Sequence, residues 1–509
     1  RDKPGYYIDG NTHASEVAGS MVCLYTIRHL LTTYGKDDFV TELLNSKVIY
    51  VLPRIDVDGA EVFLTTPQVW LGTAKFYPFA EEEWGRREGL YGEDVNGDGY
   101  ITQMRIKDPN GDWKISDKDP RLMIKRRPEE TGGSYYKVYL EGLILNYRGD
   151  EIKIAPAKYG MNLNRNFPGD WVPENVQPGS GLVPISEPEV RAVVDFWLSH
   201  PNIGGMVTYH THGGVIVRAF DNKPDSEFIE KDLILFKTIG AMGTEITGYP
   251  NVSSFEDFTR DKKKPRHGCT DGWTYLSRGI PGFCLELWDL AKHSGLGGFK
   301  ERGGVYFRLD ALKEEDALKP LLWLDKELNG QGFSNWHSFK HPQLGDVEIG
   351  GWSMKFTWRN PPERFLGEEC KRVFMFPLRH ASLLPLVKIT SSKAIKVAQE
   401  VFRIEMIVEN LGFLPTNISE QAVQANAVKP VVAYIGLNED ASLLIGREWV
   451  EIGHLKGLFD KLPELPAPTM EEGSKKKIEW IVKAVKSKKV KLTVQSEKGG
   501  TDTKEVQLE

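Results

Sequence analysis

Gly5-Tyr6-Tyr7-Ile8-Asp9-Gly10-Asn11-Thr12-His13-Ala14-Ser15-Glu16 is the stretch on which the fold turns. Gly5 to Asp9 reads as a short strand and Gly10-Asn11-Thr12 as a turn. An amphipathic helix follows, with Val17, Met21, Leu24, Ile27 and Leu31 at helical spacing, and it stops near Gly35. Lys47 to Pro53 is a second apolar run of strand type. Strand, helix and strand within so short a span predict a parallel α/β sheet. The alternation resumes downstream. Ser186 and Glu189 form a capping-box pair that opens a helix with Val190, Val193, Val194 and Trp197 on one face. A strand at Gly204 to His210, a helix at about Glu227 to Ile246 and a buried-strand run at Gly282 to Leu287 follow, and the pattern fades near Leu328.

These elements define an α/β domain over residues 1–330. Its sheet is expected to be mixed but largely parallel, with flanking helices. A Gly-, Asp-, Lys- and Pro-rich segment at about 70–157 is too long for an ordinary loop and reads as an insertion. Past Leu384 the period changes to two, in Phe402, Ile404, Met406 and Val408 and again in Val490, Leu492 and Val494. Residues 385–509 are therefore expected to form an all-β, immunoglobulin-like sandwich, joined through a connecting region at 331–384.

Composition narrows the classes of function. Sixty-five basic and seventy-one acidic residues leave a net charge of -6, so nothing global points to nucleic acid or anionic lipid. The four cysteines, Cys23, Cys269, Cys284 and Cys370, are scattered without a C-x-x-C pair, which excludes a disulfide scaffold and favours separate buried thiols. No apolar run reaches the roughly 18 residues of a membrane span. The N-terminus lacks the pattern of a signal peptide and the chain starts at Arg1, which reads as a processed product or a fragment.

His13 and Glu16 stand three residues apart where a strand turns into a helix, so both side chains can converge on one point. Catalytic zinc takes imidazole nitrogen and carboxylate oxygen from three protein ligands and keeps a fourth position open. His210 and His212 end a buried strand, and either could supply the third ligand at the carboxyl ends of the strands. Glu286 is a carboxylate in an apolar strand, a costly placement that a neighbouring metal relieves, and it is the candidate proton acceptor. The polar run Asn164-Arg165-Asn166 carries an arginine fork suited to a carboxylate. Within the insertion, Asp94, Asn96 and Asp98 match the oxygen-ligand positions of an EF-hand-like calcium loop with Gly99 at its sixth position, but Arg105 stands where a bidentate glutamate is needed. Ca2+ is thus the second candidate metal, with a tight Asx/Gly turn as the competing reading and Asp108 as a substitute ligand.

Taken in order, the His13-x-x-Glu16 pair, the Pro53 to Gly59 turn, Asn164-Arg165-Asn166-Phe167, His210 on its strand and Leu285-Glu286-Leu287 resemble the zinc carboxypeptidase family, the metallocarboxypeptidases related to carboxypeptidase A. The resemblance spans roughly residues 5 to 295. It implies Zn2+ held by His13, Glu16 and His210, with a water at the metal's open position and Glu286 as general base. It also implies Asn164 and Arg165 as the grip on the substrate's terminal carboxylate. Arg105 is the segment's best fit to the family's transition-state arginine. Asp271, two residues before Trp273, falls near the position that sets side-chain preference, where a carboxylate favours terminal Lys or Arg. Family members carry a strand and helix ahead of the H-x-x-E strand, so the fold is expected to be N-terminally truncated.

The resemblance further implies peptide or protein C-termini as partners and an extracellular or periplasmic location, with the sandwich as a means of attachment to a cell surface or wall. Two other functions fit the same residues. One is a zinc amidohydrolase that deacylates N-acyl amino acids, and the other is a degenerate, non-catalytic peptidase used as a binding module.

Overall fold

The computed structural model describes residues 2–75, 88–149, 151–155, 160–304, 312–463, 465 and 473–508. At its centre lies a six-stranded sheet in the order Asn251–Ser253, Val215–Arg218, Gly282–Leu287, Ile203–Thr211, Gly5–Gly10, Val48–Leu52. Every neighbouring pair is parallel except Val215–Arg218 against Gly282–Leu287. Gly5–Gly10 is buried along its whole length because parallel neighbours flank it and helices cover both faces. Tyr6 and Ile8 point into a core shared with helices Ala18–Thr33, Glu230–Thr247, Glu363–Val373 and Met375–Ser382. Tyr7, between them in sequence, faces the other way, against Trp197 of helix Pro188–Ser199 and Trp273 of helix Thr270–Arg278.

The insertion builds a sheet of its own, although its residues 76–87, 150 and 156–157 lie outside the described ones. This second sheet runs Phe333–His341, Gly345–Trp352, Gln103–Lys107, Tyr136–Leu140, Trp113–Ile115, Met123–Lys125. Its first two strands come from residues 331–384, which the sequence marks as a connecting region. In the structure that region is part of the α/β body. Glu348 pairs with Arg105 across the sheet, and the helices Glu363–Val373 and Met375–Ser382 bury Cys370, Val373, Phe376 and Leu378 in the main core. Sequence periodicity hides these strands because the register shifts between Ser334 and His337, which breaks the period of two.

Residues 387–507 form two four-stranded antiparallel sheets. Ile404, Met406, Val408, Trp480, Val482, Leu492 and Val494 fill the space between them. The sandwich docks on the α/β body through buried polar contacts. Ser419 Oγ donates to Gly279 O at 2.6 Å and Lys498 Nζ donates to Ile203 O at 2.7 Å, while Lys47 Nζ holds the segment that leads into the sandwich, donating to Leu384 O at 3.1 Å and Pro385 O at 2.9 Å. All four cysteines are buried free thiols.

Candidate active site

The corner at the carboxyl ends of the central strands depends on one close backbone approach. Gly10 ends its strand directly against Gly19 in the first turn of helix Ala18–Thr33. A Cβ on Gly19 would stand 2.9 Å from Tyr209 O and 3.2 Å from Asn11 N. With no side chain between them, the turn that carries His13 and Glu16 lies tight against the strand that carries His210. Two asparagines fix this turn. Asn11, at φ 59, donates from Nδ2 to His13 O at 2.5 Å. Asn360 Oδ1 accepts from Ala18 N at 3.0 Å, and its Nδ2 donates to Ser15 O at 2.8 Å, so the two bonds bracket Glu16.

The three side chains meet. Glu16 Oε2 lies 3.0 Å from His13 Nδ1 and 2.9 Å from His210 Nδ1, and the two imidazole nitrogens are 3.1 Å apart. All three residues are buried. Two ring nitrogens so close have room for one proton between them. Burial opposes charge on Glu16, but the charge of His13 and hydrogen bonds from both histidines hold its carboxyl well below the usual range. Burial drives the His13 pKa down. The same burial acts on His210, where the hydrogen bond and charge of Glu16 outweigh it and raise the imidazole to about 9.

The outer contacts orient the rings. Asn162 Oδ1 is 3.0 Å from His13 Nε2 and also accepts from Asn164 N at 2.9 Å, capping the short helix Leu163–Arg165. A proton on Nε2 directed at that oxygen leaves Nδ1 of His13 as a ligand atom. Thr208 Oγ1 lies 3.4 Å from His210 Nε2.

Glu286 faces this corner from the adjacent strand, in register with His210. It is buried, and its Oε2 has no hydrogen-bond partner. Burial first, and the Glu16 carboxylate second, push its pKa up to about 8. Asn164 Oδ1 accepts from Thr270 N at 2.9 Å and Thr270 Oγ1 at 3.1 Å, which turns the amide nitrogen away from the helix. Arg165 Nη1 donates to Asn164 O at 2.6 Å and approaches Cys269 Sγ at 3.4 Å, so one edge of its fork is fixed.

Asp271, in the first turn of helix Thr270–Arg278, is grouped with Asp221 and Cys269, their ligand-type atoms lying within 4.8 Å of one another. Gly272 makes room for this group, since a Cβ there would meet Asp221 Oδ2 at 2.7 Å. Asp221 Oδ2 and Asp271 Oδ2 are both buried without partners. Burial, reinforced by Asp221, raises the Asp271 pKa to about 7.

The zinc carboxypeptidase family model matches residues 1–300, more than half of the chain. The chain belongs to the zinc carboxypeptidase family. A second model, a domain of unknown function, matches residues 386–507. Among curated proteins, carboxypeptidase A2 of Rattus norvegicus is 23% identical over 244 residues, covering 47% of this chain and 42% of the relative. Carboxypeptidase B of Homo sapiens is 34% identical over 73 residues, 14% of this chain and 18% of the relative. The chain thus spans less than half the length of these relatives. A solved carboxypeptidase A from Helicoverpa armigera aligns with 64% of this chain and 61% of its own at 13% identity, with a TM-score of 0.35.

The donor set of His13, Glu16 and His210 fits the family's metal. Two imidazoles and a carboxylate are ordinary zinc ligands, and ligand atoms about 2.1 Å from a tetrahedral ion lie roughly 3.4 Å from one another. The observed 2.9–3.1 Å is a slightly contracted form of that triangle.

Two expected features, the transition-state arginine and the calcium loop, fold to other uses. Arg105 is bound by Glu348, Nε to Oε2 at 2.9 Å and Nη2 to Oε1 at 3.2 Å, and it stacks over Trp336 and Tyr136 in the second sheet. The transition-state role expected of it is set aside, because its charge is neutralised and its fork is occupied. The Asp94–Tyr100 loop folds as an Asx turn. Asp94 accepts from Gly97 N at 2.8 Å, Asp98 N at 3.1 Å and Gly99 N at 2.8 Å, while Asp98 Oδ1 accepts from Tyr100 N at 2.9 Å. Asp108, the substitute calcium ligand, pairs with Lys137 at 3.1 Å instead.

Sequence reasoning missed Asn162, Asn360 and Asp221. The repeated asparagines of Met161-Asn162-Leu163-Asn164 held a signal for the first. Asn360 and Asp221 carried none, since each reaches the site only through tertiary packing.

Proposed function

We propose that this protein is a zinc-dependent metallocarboxypeptidase that hydrolyses the C-terminal peptide bond of peptides or proteins. The observation that carries the reading is the convergence of His13, Glu16 and His210 beside a buried carboxylate oxygen of Glu286 that no protein group satisfies. Zinc, when bound, supplies a Lewis acid that polarises the scissile carbonyl and acidifies a water. His13 Nδ1, Glu16 Oε2 and His210 Nδ1 hold it, and Asn162 keeps the His13 ring in the ligating tautomer. Glu286 Oε2 takes the proton of the attacking water and returns it to the leaving amine.

Asn164 and Arg165 bind the substrate's free carboxylate with the amide nitrogen and the unfixed edge of the guanidinium. Asp271, backed by Asp221, receives the terminal side chain. Two buried carboxylates, each with an Oδ2 that lacks a hydrogen-bond partner, select a Lys or Arg residue there. Calcium has no part in the proposal, since the side-chain oxygens expected to bind it accept hydrogen bonds within the loop, from backbone amides and, at Asp98 Oδ2, from Asn96 Nδ2. The placement is extracellular, as the family resemblance implies; no described helix is long and apolar enough to cross a membrane.

The test is metal analysis together with release of a C-terminal residue from blocked peptides. Stoichiometric zinc and release by the wild type, with release lost in Glu286→Gln, support the reading. A metal-free protein with no release sinks it.

A further inference from the structure

The central domain and the inserted sheet enclose a cavity of about 610 Å3, inside the roughly 300–1,000 Å3 range of ligand sites. Its walls include Trp113, Trp336, Trp352, Trp358, Phe333 and Tyr139. These residues come from the insertion and from residues 331–384, so the central sheet contributes almost nothing to it. The charges at its edge are already paired. Arg121 Nη2 lies 2.8 Å from Asp119 and 2.6 Å from Asp325, and Arg105 beneath Trp336 is held by Glu348. At the mouth Leu140, Ile154 and Met354 are exposed by 51%, 66% and 37%, an uncommon gathering of apolar side chains in solvent.

The cavity abuts the metal corner at two points. His212 lines it and follows His210 by two residues, while Thr211 N between them donates to Glu16 Oε2 at 3.2 Å. Trp358 lines it too, and Asn360, two residues on, carries the bonds to Ser15 and Ala18 that bracket Glu16. The carboxylate-binding turn Asn162–Arg165 reaches the same corner through His13 instead. The cavity's lining includes His212 but not Asn164, Arg165 or Asp271, so a substrate held by its terminal carboxylate on Arg165 meets the cavity with a residue upstream of the terminal one.

We propose that this cavity is a substrate subsite for a large aromatic or aliphatic side chain on the amine side of the scissile bond. The inference rests on the carboxypeptidase reading. An apolar occupant is required because aromatic faces gain from stacking and area burial, and Arg121, the charged side chain among the described walls, is already paired. The inserted sheet and residues 331–384 then form the part of the molecule that sets upstream sequence preference, separate from Asp271, which sets terminal preference.

The experiment uses the full zinc-loaded chain and blocked dipeptides with one common terminal residue and Gly, Leu, Phe or Trp before it. The expected result is a kcat/KM for Phe or Trp about tenfold or more above that for Gly, carried by KM. Ala317→Phe fills the cavity from helix Glu314–Leu328, and Trp113→Ala removes part of its wall; each brings the Phe-to-Gly ratio close to one at unchanged zinc content. A wild-type ratio near one, or a ratio that survives both variants, overturns the subsite. Fluorescence titration of Glu286→Gln with the same peptides reads binding without turnover. Tighter binding of Phe than Gly, lost on adding Ala317→Phe, upholds the subsite even if no peptide is cleaved; equal binding rejects it. Absence of release from every peptide counts against the carboxypeptidase reading alone.

Discussion

Two places in this molecule look, from sequence, able to hold a metal, and they fold to opposite ends. At the corner of His13, Glu16 and His210, the ligand atoms converge while their other faces are held by Asn162, Thr208 and the backbone of Thr211. At Asp94, Asn96 and Asp98 the side-chain oxygens instead serve the turn itself, accepting from the amides of Gly97, Asp98, Gly99 and Tyr100. Glu141, fully buried, closes that loop from below by accepting from Val95 N at 3.0 Å and Thr102 N at 2.8 Å. The difference is one of what the polar atoms are left to do. A site is built when the fold satisfies the outer atoms of its ligands and leaves the inner ones facing each other at a cost.

That cost makes the comparison breakable. The largest effect is expected at Glu286. Glu286→Gln should lower the rate of release by about 10²–10⁴-fold while leaving zinc content unchanged, because the lost group moves a proton and does not hold the metal. Paired rate and metal measurements check this. Asn162→Ala should weaken zinc binding by about 10–100-fold through loss of the His13 orientation, read by competition with a chelator.

Asp271 gives a pH-dependent effect. Its folded pKa lies near 7 and its unfolded value near that of a free carboxyl, so the folded state binds the extra proton between about 4 and 7 and stability falls as pH rises through that window. Asp271→Asn should therefore raise the melting temperature relative to wild type at pH 8 and leave it nearly equal at pH 4. Asp271→Ala should erase preference for terminal Lys over Phe in release assays, and an unchanged preference removes the residue from the specificity pocket. The smallest effect belongs to the Asx turn. Adding or withdrawing calcium at constant zinc should change neither melting temperature nor rate, while Asp94→Ala should cost about 0.5–1.5 kcal/mol, because water takes over the exposed amides it releases. A calcium-dependent rise in melting temperature would break the contrast between the two corners.

Much of this was legible in the sequence where short-range pattern and local chemistry coincide. Gly5 to Glu16 announces a strand, a turn and a helix start, and the isolated charge of Glu286 in an apolar strand marks a residue with a task. The sandwich shows itself through strict alternation in Phe402 to Val408. The illegible parts depend on distant partners. Arg105 looks like a free arginine until Glu348, 243 residues later, takes its fork. Residues 331–384 look like a connection because a register shift at Ser334–His337 breaks their alternation and because their helices bury single stripes in a core assembled from the first hundred residues and the third. Asn360 is silent for the same reason, although it holds the backbone on both sides of Glu16.

The central claim is that His13, Glu16 and His210 form one metal-holding unit that serves hydrolysis. The most direct measurement is zinc content per chain, taken together with C-terminal release, for the wild type, Glu286→Gln and His210→Ala. The account predicts one zinc and release in the wild type, one zinc without release in Glu286→Gln, and neither in His210→Ala. A wild type that releases C-terminal residues with no bound metal, or a His210→Ala protein that keeps both zinc and release, would contradict it.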